Sequence, residues 1–232
     1  MRAKVFKERS VKRIMTLKIN RNFALLYGIM LGDGCLSSFN KRKYLVIAGS
    51  MADDKPFFEN IIKPIISSLV NKNPPIIYRP SKGAIYLNFV NKALFDFIAD
   101  FGFPVGKKGD RLFIPEILYK KNLVKYLVKG FFATDGSLVL TDNCGVLYPR
   151  VEANGVAIRL IKEIGAFLNS KDINCNVYEA KRIKQSGFVN RNTQYRLQIN
   201  GRKNLNKFVK TIGFINPKQI EKLNRYYGCT ES

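Results

Sequence analysis

Two aspartates, Asp33 and Asp135, each close an apolar segment and are each followed by glycine. The segments, residues 26–34 and 128–136, read LYGIMLGDG and VKGFFATDG. Apolar runs of this kind predict helices, and a carboxylate at a helix C-terminus opposes the helix dipole at a cost of about 0.3–1 kcal/mol. Two such carboxylates side by side also repel each other, and a divalent cation between them relieves both costs. The pair is therefore a candidate metal site.

Small residues recur four positions apart in both segments. The pairs are Gly28 with Gly32, and Gly130 with Thr134. Because four residues make about one helical turn, each pair lies on one helix face, and small faces let two helix backbones pack closely. Such packing would bring the two acids together. We expect Gly34 and Gly136 just beyond the helix ends, in a conformation with positive φ.

The order of elements after each acid is also repeated. Strand-like runs occupy residues 44–48, 76–78 and 84–89 in the first half, and 148–153, 176–184 and 194–200 in the second. Amphipathic helices are predicted near 54–69, with a bend at Pro64, and near 157–168. The phrases LFDFIADFGF at 94–103 and LNKFVKTIGF at 205–214 align without a gap.

This pattern predicts an α+β fold made of two pseudo-symmetric αββαββα repeats, packed through their paired first helices and joined near residues 115–122. We assign residues 1–20 to a basic N-terminal arm, 21–120 to the first repeat and 121–232 to the second. A duplication with a pseudo-twofold axis suits a pseudo-symmetric DNA site.

Composition narrows the function. The 232 residues include 40 Lys and Arg against 17 Asp and Glu, a formal charge of +23, which favours a polyanionic partner such as nucleic acid. The absence of histidine excludes Ser-His-Asp hydrolases and histidine general bases. Four cysteines without a Cys-x-x-Cys pair predict reduced thiols in an intracellular protein. We expect no membrane span and no secretory signal.

The two segments resemble the paired motif of the LAGLIDADG homing endonucleases in their single-chain form, and the resemblance extends over about residues 20–225. It implies a monomer with a β-sheet saddle that binds a long double-stranded DNA target. It also implies a staggered double-strand break across the minor groove, made by metal-dependent phosphodiester hydrolysis. The implied cofactor is Mg²⁺, or Mn²⁺, bound by Asp33 and Asp135 together with the backbone carbonyls of Gly32 and Thr134. Leu31 and Ala133 stand where relatives carry a further motif acid.

The resemblance further implies a basic residue beside each metal. The phrases FPVGK at 103–107 and FINPKQ at 214–219 resemble the stretch that supplies it, so Lys107 and Lys218 are the predicted basic catalytic residues. Lys108 competes with Lys107 for this role. In relatives a polar residue near the end of a strand positions water. This position maps onto Gly49 or Ser50 and onto Asn154, which leaves open whether both strands are cut at an equal rate.

A two-stranded ribbon fits the major groove, where Arg pairs with guanine and Gln or Asn with adenine. Strict alternation in residues 194–200 puts Arg196, Gln198 and Asn200 on one face. The predicted DNA-binding residues are Arg42, Lys43, Arg79, Lys82, Asn154, Arg182, Lys184, Arg196, Gln198 and Asn200.

Two alternatives use the same fold, namely an RNA-binding intron maturase and a DNA-binding protein that does not cleave. Intact Asp33 and Asp135 favour cleavage over the second alternative but leave intron RNA open as an additional partner. The expected location is the cytoplasm or nucleoid, with an organelle left open.

Overall fold

Each half of the chain begins with a helix that runs into an antiparallel sheet. The computed structural model describes residues 17–180 and 193–230. The first half contains α1 (Arg21–Asp33), β1 (Gly34–Phe39), β2 (Arg42–Ser50), α2 (Met51–Phe57), α3 (Lys63–Val70), β3 (Ile76–Arg79), β4 (Ala84–Val90) and α4 (Lys92–Asp100). A short helix, α5 (Glu116–Lys120), leads into the second half.

The second half repeats this order. It contains α6 (Val124–Phe132), β5 (Gly136–Asn143), β6 (Val146–Gly155), α7 (Ile158–Asn169), β7 (Asn176–Glu179), β8 (Tyr195–Asn200) and α8 (Arg202–Thr211). A further helix, α9 (Pro217–Thr230), follows and packs against β5 and α2. The predicted α+β fold with two αββαββα repeats is confirmed, whereas α5 and α9 were not predicted.

The two sheets have the same topology. Their strand orders are β1-β2-β4-β3 and β5-β6-β8-β7, and all neighbours are antiparallel. Gly34 is paired with Ile47 in the first sheet, as Gly136 is paired with Ala153 in the second. Since side chains alternate between the two faces of a strand, one face of each sheet is buried under helices. We call the opposite face the open face.

Local sequence explains where several helices begin or deform. Asn20 precedes α1 and its side chain accepts a hydrogen bond from the Phe23 N–H at 2.9 Å, which satisfies one of the free donors of the first turn. Between α2 and α3 the residues Phe58–Ile62 form a π-helical turn, in which the Lys63 N–H bonds to the Phe58 carbonyl. Pro64 lies just beyond this turn and cannot donate a backbone hydrogen bond, so it favours the change of register there.

The structure corrects the predicted role of the glycines after the acids. Gly34 has φ −87° and ψ 159°, which is extended backbone, and Gly136 begins β5. Glycine is needed for space instead, because a Cβ at Gly34 would overlap Met30 and one at Gly136 would lie 2.5 Å from the Phe132 carbonyl oxygen. The strands that start at these glycines, β1 and β5, were not located from the sequence. Among the described residues, no helix combines the length and apolar character needed to cross a membrane.

Candidate active site

The two motif helices, α1 and α6, pack backbone against backbone. A Cβ at Gly28 would overlap the Leu127 carbonyl, and a Cβ at Gly130 would overlap the Leu25 carbonyl. Both glycines therefore lie where helix backbones approach too closely for any side chain. The predicted small-residue packing is confirmed, and it fixes where the C-terminal ends of the two helices meet.

Those ends bring the two acids to one place. A Cβ at Gly32 would overlap Thr134 Oγ1 and would lie 3.2 Å from Asp135 Oδ2, so the Asp135 carboxylate lies against the last turn of α1. Burial raises the pKa of Asp135 to about 7, the Asp33 carboxylate adds to the rise, and Lys108 opposes it. The pKa of Asp33 is also raised, by burial and by Asp54, while Lys108 and Lys218 lower it.

The chemistry of this donor set fits a hard divalent cation. Two converging carboxylates with raised pKa values lack a full compensating charge, and Mg²⁺ or Mn²⁺ prefers carboxylate and carbonyl oxygens. Within residues 17–180 and 193–230 no group of three or more His, Cys, Asp or Glu side chains could hold a metal, so Asp33 and Asp135 would need oxygens from the backbone or from DNA. Of the two carbonyls predicted as ligands, that of Gly32 accepts a hydrogen bond from Lys108.

The structure places Lys108, and not Lys107, beside the acids. The Lys108 ammonium donates to the carbonyls of Leu31 at 3.1 Å and of Gly32. Burial lowers its pKa, whereas Asp135 and Asp33 raise it. Lys107 is exposed and is not among the charges that shift the pKa of either acid. Of the two competing lysines, the structure therefore places Lys108 at the acids and leaves Lys107 on the surface.

Lys218 lies on the Asp33 side of the site, although it comes from the second half. Its ammonium lowers the pKa of Asp33 and forms an ion pair with Asp54, with 2.6 Å between Nζ and Oδ1. Asp54 was missed by the sequence analysis. It lies in the first turn of α2 beside Asp53, where acidic residues are common for helix stability alone, so its type and position gave no signal.

The end of α6 is held by neutral side chains. Gln219 Nε2 donates to the carbonyls of Phe132 at 2.6 Å and Gly136 at 2.8 Å, and Asn216 Nδ2 donates to Ala133 at 2.8 Å. Gln219 and Asn216 are both buried. Free carbonyls at a helix end need such donors, and in this half amides supply them.

The register of the sheets changes one predicted correspondence between the halves. Since Ile47 and Ala153 pair with equivalent glycines, the residue equivalent to Asn154 is Ala48, and not Gly49 or Ser50. Asn154 lies on the open face, and its Oδ1 accepts a hydrogen bond from Arg196 Nε at 2.9 Å.

The other predicted DNA-binding residues fall into four groups. Arg196, Gln198 and Asn200 lie on the open face of the second sheet beside Asn154, and Arg42, Arg79 and Lys82 are exposed at strand ends and a turn of the first. Lys43, also predicted to bind DNA, does not lie on the open face. It alternates with Arg42 and shares the helix-covered face with Leu45, where it pairs with Asp96 of α4. Arg182 and Lys184 lie outside the described residues.

Comparison with solved structures identifies the fold. The chain is similar to the homing endonuclease I-DmoI in complex with DNA and Ca, with TM-score 0.61 and 17% identity over 88% of this chain and 97% of that chain. It is also similar to the LAGLIDADG homing endonuclease I-LtrWI bound to target DNA, with TM-score 0.58 and 13% identity over 91% of both chains.

A third similar structure is the LAGLIDADG meganuclease I-AabMI bound to uncleaved DNA, with TM-score 0.56 and 14% identity over 92% of this chain and 91% of that chain. No protein-family model and no curated protein sequence matches the chain. Two glycine-faced helices between two four-stranded sheets, together with these likenesses, show that the chain has the LAGLIDADG homing endonuclease fold in its single-chain form with two repeats.

Proposed function

We propose that the protein is a site-specific DNA endonuclease that makes a staggered double-strand break by metal-dependent hydrolysis of one phosphodiester in each strand. The observation that carries this proposal is the convergence of Asp33 and Asp135 at the ends of two packed helices, in a chain with formal charge +23. The similar structures contain DNA, and that of I-DmoI also contains Ca.

Each acid is assigned to one strand of the DNA. The carboxylates of Asp33 and Asp135 would hold divalent cations, Mg²⁺ or Mn²⁺, which would supply a Lewis acid and an activated water for each strand. Lys218 and Lys108 add positive charge close to the acids, where negative charge grows on the attacked phosphate. Because both acids belong to one chain, a monomer provides both sites.

The open faces of the sheets would bind the double helix. In the second sheet Arg196, Gln198 and Asn154 can donate to and accept from base edges in the major groove. Exposed basic residues such as Arg42 and Arg79 would contact phosphates, which gives affinity that falls with salt concentration.

The test is cleavage of host genomic DNA, with new ends captured by adaptor ligation and sequenced. With Mg²⁺ or Mn²⁺ we expect ends that recur at one long site with a constant stagger, and no such ends with a chelator. Asp33→Asn and Asp135→Asn should each reduce double-strand cleavage by at least about a hundredfold.

Asp100→Asn is the matched control, since Asp100 is also the last residue of a helix but is exposed at the end of α4. It should cut like the unchanged protein. Tight DNA binding without cleavage under every metal, or cleavage that survives in the Asp33→Asn and Asp135→Asn double variant, would contradict the proposal.

A further inference from the structure

The carboxylate of Asp54 is fixed at both of its oxygens. Oδ2 accepts the Ser50 N–H at 2.9 Å, and Oδ1 lies 2.6 Å from the Lys218 ammonium. The Asp54 side chain is 13% exposed and that of Lys218 is 45% exposed. One oxygen is therefore held by the backbone, which leaves the other directed at a lysine that is partly free in solvent.

Gly49 makes room for this arrangement. A Cβ at Gly49 would lie 2.9 Å from Asp54 Oδ2 and 2.8 Å from the Phe58 ring, so a side chain there would displace the carboxylate. The position of the Asp54 carboxylate therefore depends on the lack of a side chain at Gly49. The ion pair of Asp54 with Lys218 joins α2 in the first half to α9 in the second half.

Asp54 and Lys218 both act on Asp33. The negative charge of Asp54 raises the pKa of Asp33, after burial, and Lys218 lowers it. A lysine that is free to rotate could be drawn onto either carboxylate or away into solvent. The ion pair with Asp54 holds the ammonium at the end of β2. Ile47 of the same strand pairs with Gly34, the residue that follows Asp33.

Among residues 121–180 and 193–230, the part of the second half that the structure describes, there is no matching pair. By sheet register Gly155 is equivalent to Gly49, but a Cβ at Gly155 would meet Ile161 at 3.2 Å. The cavity beside Asp135, about 450 Å³, is lined there by Leu160 and Ile161. Where the first half has an acid, the second has aliphatic side chains, so the Asp54–Lys218 pair is not a requirement of the fold.

We propose that Asp54 is a positioning residue that holds Lys218 beside Asp33, so that cleavage of one DNA strand depends on this ion pair and cleavage of the other does not. The inference rests on the proposed function, in which Asp33 and Asp135 each serve one strand. It names a residue outside the predicted set and assigns it to one of the two reactions only.

The experiment measures nicking of each strand separately, on a target duplex labelled at both 5′ ends. Asp54→Asn should slow one strand about 10- to 100-fold, in the range seen when a partner of a metal-site residue is removed. The other strand should be cut at the unchanged rate, so nicked duplex accumulates. DNA binding in Ca²⁺ and the melting temperature should stay close to those of the unchanged protein.

Two further variants separate positioning from general damage. In a Lys218→Met background, Asp54→Asn should add little, because the lysine it acts through is gone. Glu163→Gln is the matched control, since Glu163 also accepts one backbone N–H, from Ile114, and one basic side chain, from Arg159. It should leave the ratio of the two strand rates unchanged.

Equal slowing of both strands by Asp54→Asn, or a full effect in the Lys218→Met background, would overturn the inference. If the unchanged protein cuts neither strand, the proposed function fails and the pair is tested by unfolding in urea. Coupling between Asp54→Asn and Lys218→Met then supports the positioning contact, and additive losses of stability overturn it.

Discussion

The free carbonyls at the C-terminal ends of the two motif helices, α1 and α6, accept hydrogen bonds from different kinds of side chain. At α6 the free carbonyls are held by Gln219 and Asn216, which are neutral. At α1 they are held by the ammonium of Lys108. In the aligned phrases Lys107 matches Lys218, so Lys108 occupies the position of Gln219. Both halves therefore supply side-chain donors to the carbonyls at the helix end, but the donor is charged in the first half and neutral in the second.

The open faces of the two sheets differ in a similar way. The second sheet carries Arg150, Glu152, Asn154, Arg196 and Gln198, several of which bond to one another, with Glu152 accepting from Arg150 and Gln198 at 3.1 Å each. At equivalent register positions the first sheet carries Tyr44, Val46, Ala48, Tyr86 and Asn88. The fold thus keeps its register in both halves, and the side chains that would read DNA are concentrated in the second.

The largest effect is expected where the halves are alike, at the helix interface. Gly28→Ala and Gly130→Ala each place a methyl group into a backbone carbonyl of the facing helix, and rigid helices cannot separate locally. We expect each to lower the free energy of unfolding by about 3 kcal/mol or more, measured by urea denaturation.

Gly228→Ala is the control for these variants. Gly228 also lies within a helix, α9, but an added Cβ there would have no neighbour within 4 Å among the described residues. It should be neutral or stabilise by up to about 1 kcal/mol. Equal tolerance of alanine at all three positions would show that the motif helices are not in close contact.

A smaller effect is expected from a substitution that makes the end of α1 resemble the end of α6. Burial raises the pKa of Asp135 to about 7, so this carboxylate is protonated below that pH and binds a cation increasingly as pH rises through it. The Lys108 ammonium lowers the pKa of both acids. Lys108→Gln, which copies Gln219, should therefore move Mn²⁺ binding to higher pH, and weaken it about tenfold below pH 7.

Electron paramagnetic resonance titration of free Mn²⁺ across this pH range measures the midpoint. Above the midpoint the variant should bind at least as well as the unchanged protein, because the Gly32 carbonyl is released from Lys108. The Lys107→Gln variant tests which of the two neighbouring lysines influences the acids. A shift with Lys107→Gln in place of Lys108→Gln would restore the sequence prediction.

The features that depend on repeated backbone geometry could be predicted from the sequence. Small residues four apart and the Asp-Gly pairs located α1, α6 and the two acids, because close helix packing has few solutions. The strands β1 and β5 were missed because GCLSSF is short and rich in Ser, and GSLVLTDN ends in turn-forming residues. Helix α9 was overlooked although Asn216 and Pro217 form a common helix start, in which the Asn216 side chain accepts a hydrogen bond from the Lys218 N–H.

Side-chain assignments were weaker, for reasons that differ by residue. The choice between Lys107 and Lys108 depends on the direction of one loop residue, which no periodicity fixes. Lys43 could have been placed correctly, since it alternates in phase with Leu45 and Ile47 on the buried face. Asp54 could not, because its partner Lys218 is 164 residues away and the contact exists only in the folded chain.

The smallest effect tests the difference between the open faces. Arg196 and Tyr86 occupy equivalent positions, opposite Asn154 and Ala48. Arg196 Nε bonds to Asn154, which fixes the guanidinium plane and leaves its terminal nitrogens for a base. Arg196→Ala should weaken binding about fivefold and relax base preference only beneath the second sheet, whereas Tyr86→Ala should leave preference there unchanged. Binding to a set of single-base variants of the target, in Ca²⁺, measures this. Equal loss of preference beneath both sheets would mean that the open faces share the reading of DNA, despite their different side chains.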